Sequence, residues 1–296
     1  MQEINIENIT TDPLIHPVFL NAGLSADVLR LDKIHPIISG NKWFKLRFYL
    51  DDFKISGKKE IVTFGGAWSN HIVATAALCH QLGIKATGMI RGEKPKTPSQ
   101  TLTDAAKFGM HLEYVSRTDY KGKQLPENFN DDKYYLIPEG GYEKRGMLGA
   151  ATILELIKKN RYTHICCAAG TGTMAAGLLH AAIPGQSVEV VSVLKNFTGL
   201  EDAILSLKPD LQARLHIHHE YHIGGYAKYN KDLIDFMNDF FKQTSISSDF
   251  VYSAKMFFGI TDLVHKKYFL PQSRLLLIHC GGLQGNASLG KGTLIF

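Results

Sequence analysis

Most of the marks of a specialised binding protein are missing from this sequence. No run of Lys or Arg exceeds two residues, and the pairs Lys58-Lys59, Lys158-Lys159 and Lys266-Lys267 stand far apart. A surface that tracks phosphates needs clustered cations, so nucleic acid is not expected as a partner, and these residues read as solvated helix ends. There are only four cysteines, Cys79, Cys166, Cys167 and Cys280, and none has CxxC spacing. That argues against a zinc framework or a thioredoxin-type motif. Their apolar neighbours fit buried, reduced thiols in a cytoplasmic protein. The N-terminus has no basic start followed by an apolar core, so no secretory signal is expected. The most apolar stretch, residues 164–183, holds two His, two Thr and three Gly. It fits a strand, a turn and a buried helix better than a membrane span.

What is present is globular. Hydrophobic residues make up 45% and charged residues 21%, with a net charge of +5. The length of 296 residues suggests two packed lobes. Glycine is in excess: 27 residues, about 9% against the usual ~7%. Short apolar segments at 28–31, 61–64, 86–90, 112–115, 134–137, 165–168, 188–193 and 275–278 read as strands. Helical patterns alternate with them at 41–54, 70–82, 102–108, 148–158, 174–182, 200–207, 231–241 and 254–267. This alternation predicts an α/β fold with parallel sheet covered on both faces.

In open α/β sheets, ligands bind at the carboxyl ends of strands. Four turns at such places carry informative residues. Ala169-Gly170-Thr171-Gly172-Thr173-Met174 follows a strand and opens a helix. Its glycines, hydroxyls and helix N-terminus make a phosphate cradle. The NAD spacing fails because the third glycine is Gly177, and the absence of GK[ST] excludes a nucleotide P-loop. A purely structural glycine turn is the other reading. Gly65-Gly66-Ala67-Trp68-Ser69-Asn70-His71 also joins a strand to a helix. It suits a carboxylate; equally, Ser69 or Asn70 is a simple N-cap. In Ser39-Gly40-Asn41-Lys42-Trp43-Phe44-Lys45, Lys42 is a candidate Schiff-base amine. A solvated helix face is the plainer reading of both lysines. In His279-Cys280-Gly281-Gly282, Cys280 is a possible nucleophile, but no activating group accompanies it, and an inert buried thiol is the better reading. A phosphate cradle, a carboxylate turn and a lysine are the three parts that pyridoxal phosphate acting on an amino acid requires.

From about residue 37 onward these motifs resemble, in order, the family of 1-aminocyclopropane-1-carboxylate (ACC) deaminase and D-cysteine desulfhydrase. That family belongs to the tryptophan-synthase-β-like, fold type II pyridoxal phosphate enzymes. The resemblance implies two open, twisted, mostly parallel sheets with flanking helices. It implies a large cofactor-binding domain of residues 1–46 and 146–296 and a small inserted domain of residues 47–145. GGNKxRKL matches residues 39–46 and places the Schiff-base role on Lys42, with Asn41 beside it and Lys45 as a second, non-bonding lysine. QSN[HQ] matches Trp68-Ser69-Asn70-His71, implying a substrate-binding turn with Ser69 also catalytic and Asn70 against the cofactor ring. The phosphate loop falls on Gly170, Thr171, Gly172 and Thr173. Catalytic tyrosines map onto Tyr226 and, in Asp249-Phe250-Val251-Tyr252-Ser253-Ala254-Lys255, onto Tyr252. H[LT]GG matches His279-Cys280-Gly281-Gly282 and puts Cys280 and Gly281 at the cofactor.

Two positions separate the family's branches. Ser253 stands where ACC deaminases have Glu, and Cys280 where they have Leu. A carboxylate at the pyridine nitrogen would make the strong electron sink that opening a cyclopropane needs, whereas thiolate leaves readily. The expectation is therefore a lyase that converts D-cysteine to pyruvate, ammonia and sulfide. ACC deaminase, a D-serine dehydratase or racemase, and a non-enzymatic phosphate-ligand module are the alternatives. The partners expected are a small amino acid and, from the family, a second copy in a homodimer, with no membrane. No metal site is expected.

Overall fold

The computed structural model describes residues 3–126, 129, 132–210 and 213–296. Ten strands form two sheets. The larger contains β1 (Thr11–Pro13), β2 (Ser25–Arg30), β7 (His164–Ala169), β8 (Ser187–Ser192), β9 (Arg214–His218) and β10 (Arg274–His279). Their order is β1-β2-β10-β7-β8-β9, and only β1 runs antiparallel. The smaller contains β3 (Glu60–Gly65), β4 (Lys85–Arg91), β5 (His111–Val115) and β6 (Tyr134–Ile137), all parallel, in the order β5-β4-β3-β6. The expected pair of mostly parallel sheets with flanking helices is what forms.

Strand alternation builds the larger core. Successive side chains point to opposite faces, so Cys167, Leu276 and Ile278 join one buried cluster while Cys166, Leu275 and Leu277 join the other. The adjacent cysteines therefore face apart, and all four are free and buried. The two strands not foreseen lie at the edges of this sheet. In β9, Arg214-Leu215-His216-Ile217-His218 alternates polar and apolar and shows no apolar run, which suits an edge only half covered by helices.

Nine helices lie among the described residues: α1 (Pro17–Asn21), α2 (Asn41–Ile55), α3 (Asn70–Gln81), α4 (Gln100–Lys107), α5 (Lys144–Ala151), α6 (Thr173–Ala181), α7 (Leu200–Ser206), α8 (Lys231–Thr244) and α9 (Ser253–His265). Seven match the predicted segments to within two or three residues. The short α1 was not foreseen. The eighth segment, expected at 148–158, is shifted: α5 ends at Ala151 and tightens into 3-10 turns over Thr152–Leu156. Gly146 and Gly149 weaken the helical pattern in sequence, yet Gly146 makes room for the Gly141 carbonyl and Gly149 lets α5 approach α2. A Cβ at Gly149 would run into the Phe44 carbonyl. Among the described residues no helix is long and apolar enough to cross a membrane.

Candidate active site

A cavity of about 730 Å³ opens where the carboxyl ends of both sheets meet. Its floor is α2, whose first residues are held by a turn more than 200 positions away. Asn41 N–H donates to the Cys280 carbonyl at 3.2 Å, and Gly282 N–H donates to Ser39 Oγ at 2.9 Å. Gly40 adopts φ +62°, and a Cβ there would occupy the place of the Cys280 carbonyl. Only glycine fits this interlock.

The interlock presents Lys42 to the cavity. Its Nζ donates to Asn41 Oδ1 at 2.7 Å and lies 5.6 Å from the centre of the Tyr252 ring. Burial holds the amine below the ordinary lysine value, with Cys280 and Asp249 pulling weakly the other way. Lys45, one turn along, also lines the cavity, and burial and Lys42 hold it lower still. The plain reading of two solvated lysines does not survive: both are buried.

Opposite stands the glycine turn between β7 and α6. Gly170, Thr171, Gly172 and Thr173 all line the cavity. Gly172 is left-handed at φ +85°, and the Thr171 and Thr173 hydroxyls share a hydrogen bond of 2.9 Å. The Thr173 hydroxyl in turn donates to the Gly140 carbonyl at 3.4 Å, while the first-turn amides of α6 have no partner within their helix and are the donors suited to an anion.

The small sheet supplies the third wall, which includes Trp68, Ser69, Asn70 and His71. Ser69 caps α3 by accepting from Ile72 N–H at 3.4 Å, which leaves its hydroxyl hydrogen free to donate. The N-cap and ligand readings of this turn are thus compatible. His71 is fixed more tightly. Thr63 Oγ1 donates its one hydrogen to the Ile137 carbonyl at 2.8 Å, so His71 Nε2, also 2.8 Å away, donates to Thr63. Burial and the two lysines keep the ring neutral. Nδ1 is then an acceptor, buried and without a partner. A lone pair repels a carboxylate, so within this turn Ser69 and the backbone amides are the groups suited to one.

Tyr252 and Tyr226 close the mouth, with ring centres 6.1 Å apart. Burial pushes Tyr252 well above the ordinary phenol value and Tyr226 up to about 12, so both are proton donors at neutral pH. Tyr226 spends its hydrogen on the Trp68 carbonyl, 3.0 Å away across the cavity.

The remaining predicted residues, Ser253, Cys280 and Gly281, lie outside the cavity lining. Ser253 Oγ donates to Asp249 Oδ1 at 2.6 Å and accepts from Asp249 N–H at 2.8 Å. The same carboxylate accepts from the amides of Val251, Tyr252 and Ser253 and so fixes the start of α9. Burial pushes the Cys280 thiol up to about 12, which leaves it no nucleophile. Sequence reasoning missed four charged lining residues, Arg91, Arg117, Lys123 and Glu139. Each stands at or beyond the carboxyl end of a small-sheet strand, and the strand-end rule applied to that sheet would have found at least Arg91.

The residues present fit pyridoxal phosphate. The turn at 170–173 offers donors to a phosphate, Lys42 offers a depressed amine, and Asn70 beside Gly282 offers a side-chain amide. A Cβ at Gly140 would press on Thr171 at 2.9 Å and narrow the cradle. Among the described residues no group of side chains could hold a metal ion.

Comparison with known proteins agrees with this chemistry. The family model described as pyridoxal-phosphate dependent enzyme matches residues 8–281. The chain is 26% identical over 279 residues to a protein of Pyrococcus horikoshii named putative 1-aminocyclopropane-1-carboxylate deaminase, covering 87% of this chain and 84% of that one. It is 27% identical over 288 residues to a Thermotoga maritima protein of the same name, covering 89% and 90%. Among solved structures, that of an ACC deaminase homologue superposes with a TM-score of 0.78 at 23% identity, covering 96% of this chain and 92% of that one. A hydrogen sulfide-producing enzyme of Fusobacterium nucleatum gives 0.66 at 14% identity, covering 94% and 96%. The two structures show the shared fold.

Proposed function

The chain belongs to the pyridoxal-phosphate dependent enzyme family, and from that premise we propose that it is a lyase acting on a small amino acid, most simply by α,β-elimination from D-cysteine to pyruvate, ammonia and sulfide. The observation that carries this reading is the buried Lys42 amine facing Tyr252 across a cavity that also holds an anion cradle and a carboxylate turn.

Bound at Lys42, the cofactor supplies the electron withdrawal that makes a Cα proton removable. The protein's own residues do the rest. The Ser69 hydroxyl and the turn amides hold the substrate carboxylate. The Lys42 amine, depressed by burial, would serve as the base for the Cα proton. The Tyr252 hydroxyl hands its proton to the departing thiolate, since the hydrogen of Tyr226 is held by Trp68. In this reading residues 47–145 form an inserted lobe that carries the carboxylate turn, and Asn41, Asn70 and the turn at 170–173 hold the cofactor.

Asp249 supports a second reading. Its carboxylate backs the Ser253 hydroxyl at 2.6 Å, which brings negative charge near the position that favours ring opening. The curated relatives carry the deaminase name. ACC as substrate, giving 2-oxobutanoate and ammonia, is therefore the alternative.

The test is the visible absorbance of the purified protein with pyridoxal phosphate, followed by product assays on D- and L-cysteine, D-serine and ACC. Lys42→Ala is expected to abolish the cofactor band and turnover. No band in the wild type, even with added cofactor, would overturn the reading. Ammonia from ACC and none from D-cysteine would select the alternative.

A further inference from the structure

The small sheet presents more positive charge to the cavity than the proposed reaction uses. Five cations line the cavity, namely Lys42, Lys45, Arg91, Arg117 and Lys123, against one acid, Glu139. Lys123 pairs with Glu139 at 2.9 Å. Lys42 and Lys45 are pushed by burial toward their neutral forms. Among the described residues neither Arg91 nor Arg117 has an ion-pair partner. The reading above needs two anions in this cavity, a phosphate at the glycine turn and a carboxylate at the β3 turn. Neither is assigned to an arginine.

The arginines stand together. Arg91 is the last residue of β4, and Arg117 follows β5 by two residues. The Arg117 side chain lies over the residue after Arg91, with Nε 3.8 Å from the Cβ position of Gly92. Arg91 pairs with Val115 in the sheet, so both guanidinium-bearing residues leave neighbouring strands at the same end. Two like charges side by side with no counter-ion repel, and a shared anion relieves that cost. The β3 turn, which carries Ser69, is one strand away from Arg91.

Resting on the proposed function, we propose that Arg91 and Arg117 form a second anion subsite and that the substrate is an amino acid whose β-substituent, the group that leaves, carries a second negative charge. Its α-carboxylate sits at the β3 turn and its anionic β-substituent sits at the ends of β4 and β5. Arginine suits this role because its fork takes an oxyanion through paired donors.

The test is a binding measurement on the cofactor-loaded enzyme that needs no turnover. Calorimetry compares succinate, a dianion, with butyrate, a monoanion of the same chain length. Succinate is expected to bind at least about tenfold more tightly, the scale of one charge-assisted hydrogen-bonded contact. In R91A and in R117A the ratio falls, and in the double variant it approaches one. R91K retains part of it, because a point charge keeps the attraction and loses the fork. Equal affinity of the wild type for the two anions overturns the proposal, as does a preference untouched in the double variant. If the double variant does not fold, the wild-type comparison still decides, joined by titration of the cofactor band with D- and L-aspartate against D- and L-alanine. Failure of the lyase reading looks different, because then no amino acid, acidic or neutral, perturbs the cofactor band.

Discussion

The wall of the cavity that the six-stranded sheet supplies is buried and internally tied, while the wall from the four-stranded sheet is open and charged. Thr173 is fully buried and Lys42 nearly so, whereas Trp68 is 43% exposed and Arg91 and Arg117 are exposed. The groups on the first wall are held by the protein itself: Lys42 by Asn41 and Thr171 by Thr173. Those on the second are in part unspent, with a free Ser69 hydrogen, an orphan His71 lone pair and two unpaired arginines. A pre-tied wall costs no reorganisation during reaction. An unspent wall waits for a ligand to complete it. The difference separates chemistry from selection: the large sheet carries what any substrate needs, and the small sheet carries what distinguishes one substrate from another.

The sharpest way to break that division is at Tyr252. If the large-sheet wall does the chemistry, Tyr252→Phe lowers kcat by about 10²–10⁴-fold, the usual worth of a positioned proton donor. KM and the cofactor band stay near wild type. A change confined to KM in steady-state assays would move the tyrosine to the selecting side.

Next in size is Lys255→Met, which tests whether the first wall is tied together as the geometry indicates. Lys255 is fully buried, and its Nζ donates to the carbonyls of His222 and Gly225 at 2.7 and 2.6 Å. Those bonds hold the loop that ends in Tyr226. Methionine leaves both carbonyls unpaired, at about 1–3 kcal/mol each, so urea unfolding should show a loss of about 2–6 kcal/mol. Burial lowers the Lys255 pKa to about 8, against 10.5 for a free lysine. Between those values the unfolded chain binds more protons than the folded one, so stability rises with pH across the window; below pH 8 the full cost of the buried cation remains. The difference between wild type and variant isolates this slope, and it should vanish if Lys255 is not the titrating group.

Particular residues show how much of this was legible in sequence. The β7–α6 turn was readable because glycines, threonines and an apolar strand end coincide within a few residues. Lys42 was readable only through its motif, since a lone lysine near a helix start has no periodicity to mark it as buried. What buries it is the interlock of residues 39–41 with 280–282, a contact across 240 positions that no local pattern records. The limit of motif reading shows in Ser253 and Cys280, which stand at the motif positions but behind the cavity wall. Asp249, in the same motif, holds the helix start, and Arg91 and Arg117 carry no motif at all. Edge strand β9 was invisible for a related reason: alternation without an apolar run looks like loop.

Ser69→Ala tests the other wall. Its free hydroxyl hydrogen is suited to the substrate carboxylate, and a hydrogen bond to a charged group contributes about 1.5–3 kcal/mol. KM is expected to rise about 10–100-fold with kcat changed far less. Loss of the α3 cap adds about 1 kcal/mol of destabilisation, visible as a separate shift in the urea midpoint. Equal falls in kcat and kcat/KM would instead place Ser69 among the groups that act only in the transition state.

The smallest effect belongs to the hydrogen bond between Tyr226 and Trp68, and it depends on which half is removed. The Tyr226 hydroxyl meets the Trp68 backbone carbonyl, not its ring. Trp68→Ala keeps that carbonyl, and an exposed ring away from core packing contributes within about 0.5 kcal/mol to stability. It should therefore leave the latch in place and alter only the shape of the opening, read as a shift in the relative KM of long and short substrates. Tyr226→Phe keeps the ring packed on Tyr252 but removes the hydroxyl, freeing the Trp68 carbonyl to water. Its cost is the net worth of one neutral hydrogen bond, about 0.5–1.5 kcal/mol, and hydrogen exchange at the amides of the Gly66–Asn70 turn should quicken accordingly. If Trp68→Ala quickens that exchange as much as Tyr226→Phe does, the indole ring and not the carbonyl holds the two walls together, and selection at this mouth is a matter of packing.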